Sequence, residues 1–312
     1  MRGLTQLLVF DDTERPAAQR LGAALGVPVA GVQRHRFPDG ELRLRLPPRL
    51  AGHVGLWRSL GRPNEKLVEL LIAAPAARAL GARELTLVCP YLAYMRQDAA
   101  FTPGEAVSQR HVGRWLAGLF DTVATVDPHL HRVATLDEVL PGCRCITASA
   151  AGALGEHAAR RLGDPLLLGP DEESLPWVHA AARAGGACRG GDAPLDHAVC
   201  IKVRGGDREV RVTLPAALDL RGREVVLVDD VASTGATLRA AARLCLAQGA
   251  SSVDVAVVHA LLSPAGSAGL HAAGVRGLWS TDSIVHPSNT IDIVPALLAA
   301  FEAAGISRSP AA

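Results

Sequence analysis

Short apolar runs bounded by turn residues alternate along the chain with longer stretches of helical composition, and this alternation predicts its elements. Residues 7–10 read as a first strand and 14–25 as a helix stopped by Gly26. Leu42, Leu44 and Leu46 alternate with Arg43 and Arg45, the period of a half-exposed strand, and Pro38, Asp39 and Gly40 form the turn before it. Residues 64–80 are helical, with Asn64 as candidate cap and Gly81 as the end. A strand at 85–88, a loop at 101–105, a helix at 107–120 and a strand at 122–126 complete the first half.

The pattern pauses over 141–147 and then resumes. A helix at 151–161, a strand at 166–168, a helix ending at Ala184 and a strand at 199–203 lead to an apolar strand at 225–228. A helix at 238–248 stopped by Gly249, a strand at 253–260 and a short strand ending at Trp279 follow. Strands alternating with helices imply mainly parallel sheets, with chemistry at the carboxyl ends of the strands. The expected fold is α/β, two similar lobes each built on a mainly parallel sheet flanked by helices, with domains at 1–145 and 146–312.

Composition narrows the partners. At 312 residues the chain suits two domains that each bury a core, and 49% hydrophobic content with a net charge of +1 points to neither nucleic acid nor an anionic membrane. Residues 255–275 contain no Asp, Glu, Lys or Arg and are long enough to raise the question of a membrane span, but Pro264, His259, His271 and several glycines and serines argue against one. The amino-terminal stretch reaches acids too soon for a signal peptide. Of six scattered cysteines only Cys143 and Cys145 are close, so reduced thiols and a cytoplasmic location are expected.

The strongest chemical signal follows the strand at 225–228. Asp229 and Asp230 come first, then Ser233, Thr234, Gly235, Ala236 and Thr237, then the helix. Hydroxyls and backbone N–H groups at a helix N-terminus favour a phosphate. The acids repel phosphate, so they suit the hydroxyls of whatever carries it, and a sugar phosphate meets both requirements. No Gly-Lys-[Ser/Thr] follows, which excludes a Walker loop. The bland alternative is a βα turn whose hydroxyls only cap the helix. Further polar clusters end other strands: residues 90–98, 127–131 and 169–174.

The 225–238 stretch resembles the phosphoribosyl-pyrophosphate (PRPP) loop shared by phosphoribosyltransferases and PRPP synthetases. With FPDGE at 37–41, PYLAYMRQD at 90–98, VDPH at 126–129, GPD at 169–171 and Lys202-Val-Arg204 in order, most of the chain resembles the ribose-phosphate pyrophosphokinase family. The resemblance implies two phosphoribosyltransferase-like lobes and diphosphoryl transfer from MgATP to the C1 hydroxyl of ribose 5-phosphate, giving PRPP and AMP. It implies ATP binding by Phe37, Asp39, Glu41, Arg96, Gln97 and Asp98, Mg²⁺ at His129 and Asp171, and charge stabilisation by Lys202 and Arg204 on a mobile loop. Asp229 and Asp230 would hold the ribose hydroxyls, and Ser233, Thr234, Gly235, Ala236 and Thr237 the 5-phosphate. It further implies a homo-oligomer, with residues 37–41 reaching a neighbour's ATP site. His131 has no counterpart in the motif and reads as a supporting residue.

The chain departs from the family pattern at Ser233, Ala236, Ala99, Ala100 and, most of all, at Glu172 and Glu173, which stand where Gly-Gly is usual. A carboxylate pair facing a polyphosphate would repel it unless metal-bound or turned away. Two alternatives to the enzyme are a catalytically silent homologue that regulates a true synthetase and a phosphoribosyltransferase. The first-half motifs argue against the latter.

Overall fold

The computed structural model describes residues 3–50, 52–205, 209–216 and 218–306; the side chains of residues 202–205 and 209–212 lie outside the described residues. The chain divides into two compact units, Met1–Ser149 with Ile293–Ala312, and Ala150–Asp292.

The first unit runs β1 (Gln6–Val9), α1 (Arg15–Leu25), β2 (Val29–Gly31), β3 (Gln33–Arg36), β4 (Leu42–Arg45), β5 (Gly52–Trp57), α2 (Pro63–Ala79), β6 (Ala82–Cys89), α3 (Ser108–Leu119), β7 (Thr122–Val126) and β8 (Arg144–Ala148). Its six-stranded sheet has the order β2-β1-β5-β6-β7-β8, every pair parallel. Leu7, Leu8, Leu56, Leu85 and Leu87 are fully buried, as strands covered on both faces require. β3 and β4 form a separate antiparallel hairpin, Arg34 facing Leu44.

The second unit runs α4 (Ala151–Arg161), β9 (Leu166–Gly169), α5 (Leu175–Cys188), β10 (His197–Val199), β11 (Ile201–Gly205), β12 (Glu209–Thr213), β13 (Glu224–Ala232), α6 (Ala236–Ala247), β14 (Ser252–Ala260), α7 (Pro264–Ala272), β15 (Val275–Thr281) and β16 (Asn289–Ile291). Its sheet, β10-β9-β13-β14-β15-β16, is again all parallel, and β11–β12 is again a separate antiparallel hairpin. In each unit the first strand lies between the second and the third main strand, and the hairpin is inserted between those same two. The units are one topology used twice.

The last helix, α8 (Val294–Ala303), corrects the expected division at 145/146. It belongs to the first unit, where it packs on α1, β7 and β8 and buries Val294, Leu297 and Phe301. The expected boundary segment is itself the edge strand β8, short and mixed in composition. Strand β5 was hidden by Gly52, His53 and Gly55; a Cβ at Gly55 would come 2.8 Å from Leu7 Cδ1, so glycine there is close packing rather than a turn. The charge-free 255–275 stretch is a buried strand, a turn and α7, and among the described residues no helix is long and apolar enough to cross a membrane.

Candidate functional site

In the second unit α5 follows β9 towards β10, whereas α6 follows β13 towards β14. The crevice between the carboxyl ends of β9 and β13 is therefore the topological switch point, where open α/β sheets bind ligands. Asp171 follows β9 there. Its Oδ1 accepts from the Glu173 N–H at 3.1 Å, and Ser174 Oγ donates to the Asp171 carbonyl at 2.6 Å. Glu172 and Glu173, both exposed, occupy the 3₁₀ turn Glu172–Ser174 that leads into α5, where carboxylates suit the positive end of the helix.

Across the crevice β13 runs past the predicted end at residue 228, through both acids to Ala232, because pairing with β14 continues at Asp229↔Val257 and Val231↔His259. Asp230 is buried and Asp229 half-buried. Burial, then the neighbouring Asp230 and Asp171, push the Asp229 carboxyl well above its ordinary range. The turn to α6 hinges on Gly235, left-handed at φ +72° as the helix's cap residue. Thr234 Oγ1 accepts from the Ala236 N–H at 3.3 Å, and Arg239 Nη1 donates to the Thr234 carbonyl at 2.7 Å. Beneath lies an apolar floor of Leu227, Leu238, Ala241, Leu262 and Leu270. The arrangement unites vicinal carboxylates with a hydroxyl-bearing turn at a helix N-terminus.

In the first unit the expected ATP and metal residues lie on two neighbouring loops and on the hairpin. The loop after β6 carries Arg96, exposed, Gln97, whose side chain donates to the Ala99 carbonyl at 3.2 Å, and Asp98, which accepts from Arg132 at 3.3 Å. Arg132 comes from the loop after β7, so an ion pair joins the two loops. His129 is on that second loop, with His131 Nε2 3.2 Å from His129 Nδ1 and the rings edge to face at 3.8 Å. Two non-glycine residues here hold positive φ, Tyr94 at +66° and Asp127 at +36°; such backbone persists only where the surroundings over-determine it. The Tyr94 hydroxyl donates to Asn64 Oδ1 at 2.5 Å. Asn64 is thus a tether, and the cap position expected for it is taken by left-handed Arg62 before Pro63.

Phe37, Asp39 and Glu41 sit at the tip of the β3–β4 hairpin, all exposed. The Phe37 N–H donates to the Glu41 carbonyl at 2.9 Å, Asp39 Oδ1 accepts from the Glu41 N–H at 3.1 Å, and the Phe37 ring packs on His35 and Arg43 of its own hairpin. Arg34 pairs with Asp11 and Glu69, and Arg36 with Glu65, so part of the arginine face anchors the hairpin. Lys202 and Arg204 lie on β11, opposite Val212 and Val210, and their side chains lie outside the described residues, as do residues 206–208 of the loop expected after them. By topology this hairpin is the counterpart of the one bearing Phe37.

The first unit's own switch point, between β1 and β5, is closed. Arg58, 2% exposed, occupies the position after β5 and pairs with Glu69 at 2.5 Å and Glu14 at 3.4 Å; Lys66 pairs with Glu14 at 3.0 Å and donates to the Ser59 carbonyl. Internal ion pairs fill the place that the second unit gives to Asp229, Asp230 and the turn at Gly235. Sequence reasoning missed this network, as it missed the bond between Tyr94 and Asn64 and the roles of Arg132 and Arg239; each is a contact between segments distant in sequence or a side chain turned back on its own turn.

Residues 7–119 match the model described as the N-terminal domain of ribose phosphate pyrophosphokinase, and residues 146–271 the model of the phosphoribosyl transferase domain. The chain is 37% identical over 287 residues to the ribose-phosphate pyrophosphokinase of Methanopyrus kandleri, covering 91% of this chain and 94% of that protein. It is 32% identical over 287 residues to that of Methanosarcina acetivorans, covering 91% and 95%. Among solved structures it is similar to phosphoribosylpyrophosphate synthetase from Mycobacterium smegmatis, with a TM-score of 0.76 at 24% identity over 96% of this chain and 99% of that one, a likeness of fold.

Proposed function

The chain belongs to the ribose-phosphate pyrophosphokinase family, and from that premise we propose that it transfers the diphosphoryl group of MgATP to the C1 hydroxyl of ribose 5-phosphate, giving PRPP and AMP. The observation that carries this reading is the unequal use of one topology. The second unit's switch point keeps Asp171, Asp229, Asp230 and the turn at Gly235, whereas the first unit's is filled by Arg58, Glu69, Glu14 and Lys66. A sugar phosphate therefore has one site per chain, and the first unit is left to the nucleotide through its β6 and β7 loops. A phosphoribosyltransferase would leave the match over residues 7–119 without a purpose.

Diphosphoryl transfer needs positioning and charge neutralisation more than covalent catalysis. Asp229 and Asp230 accept hydrogen bonds from the ribose 2- and 3-hydroxyls. The turn from Ser233 to Thr237 holds the 5-phosphate through N–H and hydroxyl donors, which leaves the C1 hydroxyl pointing out of the cradle. Arg96, with Gln97, orients the nucleotide phosphates, and Lys202 and Arg204 stabilise the charge that develops on the transferred group. Phe37, Asp39 and Glu41, anchored at the far end of their hairpin and bonded within its tip, are presented outward to the nucleotide of another copy in a homo-oligomer. Cytoplasmic metabolism is the setting this chemistry suits.

The donor set fits Mg²⁺. The second unit's switch point offers the oxygens of three carboxylates, Asp171, Asp229 and Asp230, close enough together for Asp230 and Asp171 to raise Asp229. Mg²⁺ characteristically takes one or two carboxylates and completes its shell with water and substrate phosphates. Asp171 suits that role better than His129, whose imidazole nitrogen is a softer donor. Bound there, Mg²⁺ would offset polyphosphate charge and help to orient the transferred group.

Calorimetry tests the sugar-phosphate site directly. Ribose 5-phosphate is expected to bind once per chain, more tightly than ribose or inorganic phosphate alone; equal affinity for inorganic phosphate and ribose 5-phosphate would leave the carboxylates without a role and defeat the reading.

A further inference from the structure

Arg96 projects from a loop whose carbonyls on either side go to one residue. Gln109 lies in the first turn of α3 and is 2% exposed. Its backbone N–H donates to the Gln97 carbonyl at 3.2 Å, and its side-chain Nε2 donates to the Met95 carbonyl at 3.2 Å. The first N–H groups of a helix have no partner within the helix, and here one of them is spent on the loop. The second bond satisfies a buried amide against the carbonyl of Met95, itself 1% exposed. The carbonyls of both residues beside Arg96 are thereby fixed to a helix, while its guanidinium remains outside. Tyr94, strained at φ +66° and tied to Asn64, fixes the near end of the same loop.

We propose that Gln109 is a positioning residue for nucleotide binding, acting through the backbone on either side of Arg96. It touches no substrate; it limits the directions in which Arg96 can present its guanidinium. A side chain held in this way gives more affinity for the same contact, because less freedom is lost when the nucleotide binds. The inference rests on the reading of Arg96 as an ATP-phosphate ligand.

The test is a double-mutant cycle on MgATP affinity, measured by calorimetry without ribose 5-phosphate so that no turnover occurs. Gln109→Met keeps the length of the side chain and the backbone bond to Gln97, and removes only the bond to Met95. It is expected to weaken MgATP binding roughly tenfold, with ribose 5-phosphate affinity unchanged. Arg96→Ala is expected to weaken MgATP binding by itself, and adding Gln109→Met to it should then cost no more than twofold. If Gln109→Met folds poorly, Gln109→Ser, too short to reach Met95, carries the same cycle. Full additivity of the two changes, an unaltered MgATP affinity in the Gln109 variant, or an equal loss for ribose 5-phosphate would overturn the proposal. Were Arg96→Ala to leave MgATP binding intact, the nucleotide-site reading itself would fall, which is a separate result.

Discussion

The backbone N–H of Asp230 donates a 3.0 Å hydrogen bond to Oδ1 of Asp229. That bond favours an ionised Asp229, but burial and the adjacent Asp230 and Asp171 outweigh it, and the carboxyl is held well above its ordinary 3.8. Without substrate the folded chain therefore binds more protons at this site than the unfolded chain, and its stability falls as pH rises from about 4 through the raised value. Asp229→Asn removes the penalty: the substrate-free protein should melt at a higher temperature at neutral pH, with a flatter dependence on pH, while ribose 5-phosphate binding is lost. Melting curves across pH check this, and an Asn variant less stable than the parent at pH 7 would contradict it.

Gly235 is the second point of leverage. At φ +72° an alanine costs about 1–2 kcal/mol, and its Cβ would approach Leu262 Cδ2 to 3.2 Å and Arg239 Nη1 to 3.3 Å. Gly235→Ala should weaken ribose 5-phosphate binding about tenfold or more and leave MgATP affinity unchanged, since only the phosphate turn must move. Parallel calorimetric titrations with the two substrates measure the split.

In the first unit the buried Arg58–Glu69 pair is expected to matter for stability alone. Breaking such a pair by removing one charge costs about 3–5 kcal/mol because the partner stays buried without compensation. Glu69 is 0% exposed and also accepts from Arg34 at 2.9 Å, so Glu69→Gln should lower the urea midpoint substantially. At low temperature, where the protein remains folded, affinity for ribose 5-phosphate should be unaltered.

Lys202 stands on the hairpin of the second unit, in the topological place where the first unit puts Phe37. If it stabilises charge only in the transition state, Lys202→Ala lowers kcat by about 10²–10³ while MgATP affinity holds. Single-turnover kinetics with a binding isotherm separate the two, and a loss confined to affinity would make it a ground-state contact.

What was legible in the sequence is what is local. The turn from Asp229 to Thr237 could be read because hydroxyls, a left-handed glycine and a helix follow one another within a few residues. Most main strands could be read because burial on both faces leaves continuous apolar runs such as residues 225–228. The two similar lobes could be read as well, but not the hairpin inserted at the same place in each, since the two hairpins have unrelated sequences, one with alternating arginines around FPDGE and the other with Lys202 and Arg204. Nor could the return of α8 to the first unit, which depends on Val294, Leu297 and Phe301 meeting α1 and β8 far along the chain. Gln109 carries no sequence signal at all: it is an ordinary helix residue until the Met95 carbonyl is brought to it.

The central claim is the fate of the two outer phosphates of ATP. Phosphorus NMR of the purified protein with MgATP and ribose 5-phosphate should show AMP and a sugar 1-diphosphate growing together in equal amounts, with both transferred phosphorus atoms in the product. ADP growing instead, or no change in ATP while ribose 5-phosphate still binds, would contradict diphosphoryl transfer; the second result would point to a regulatory homologue.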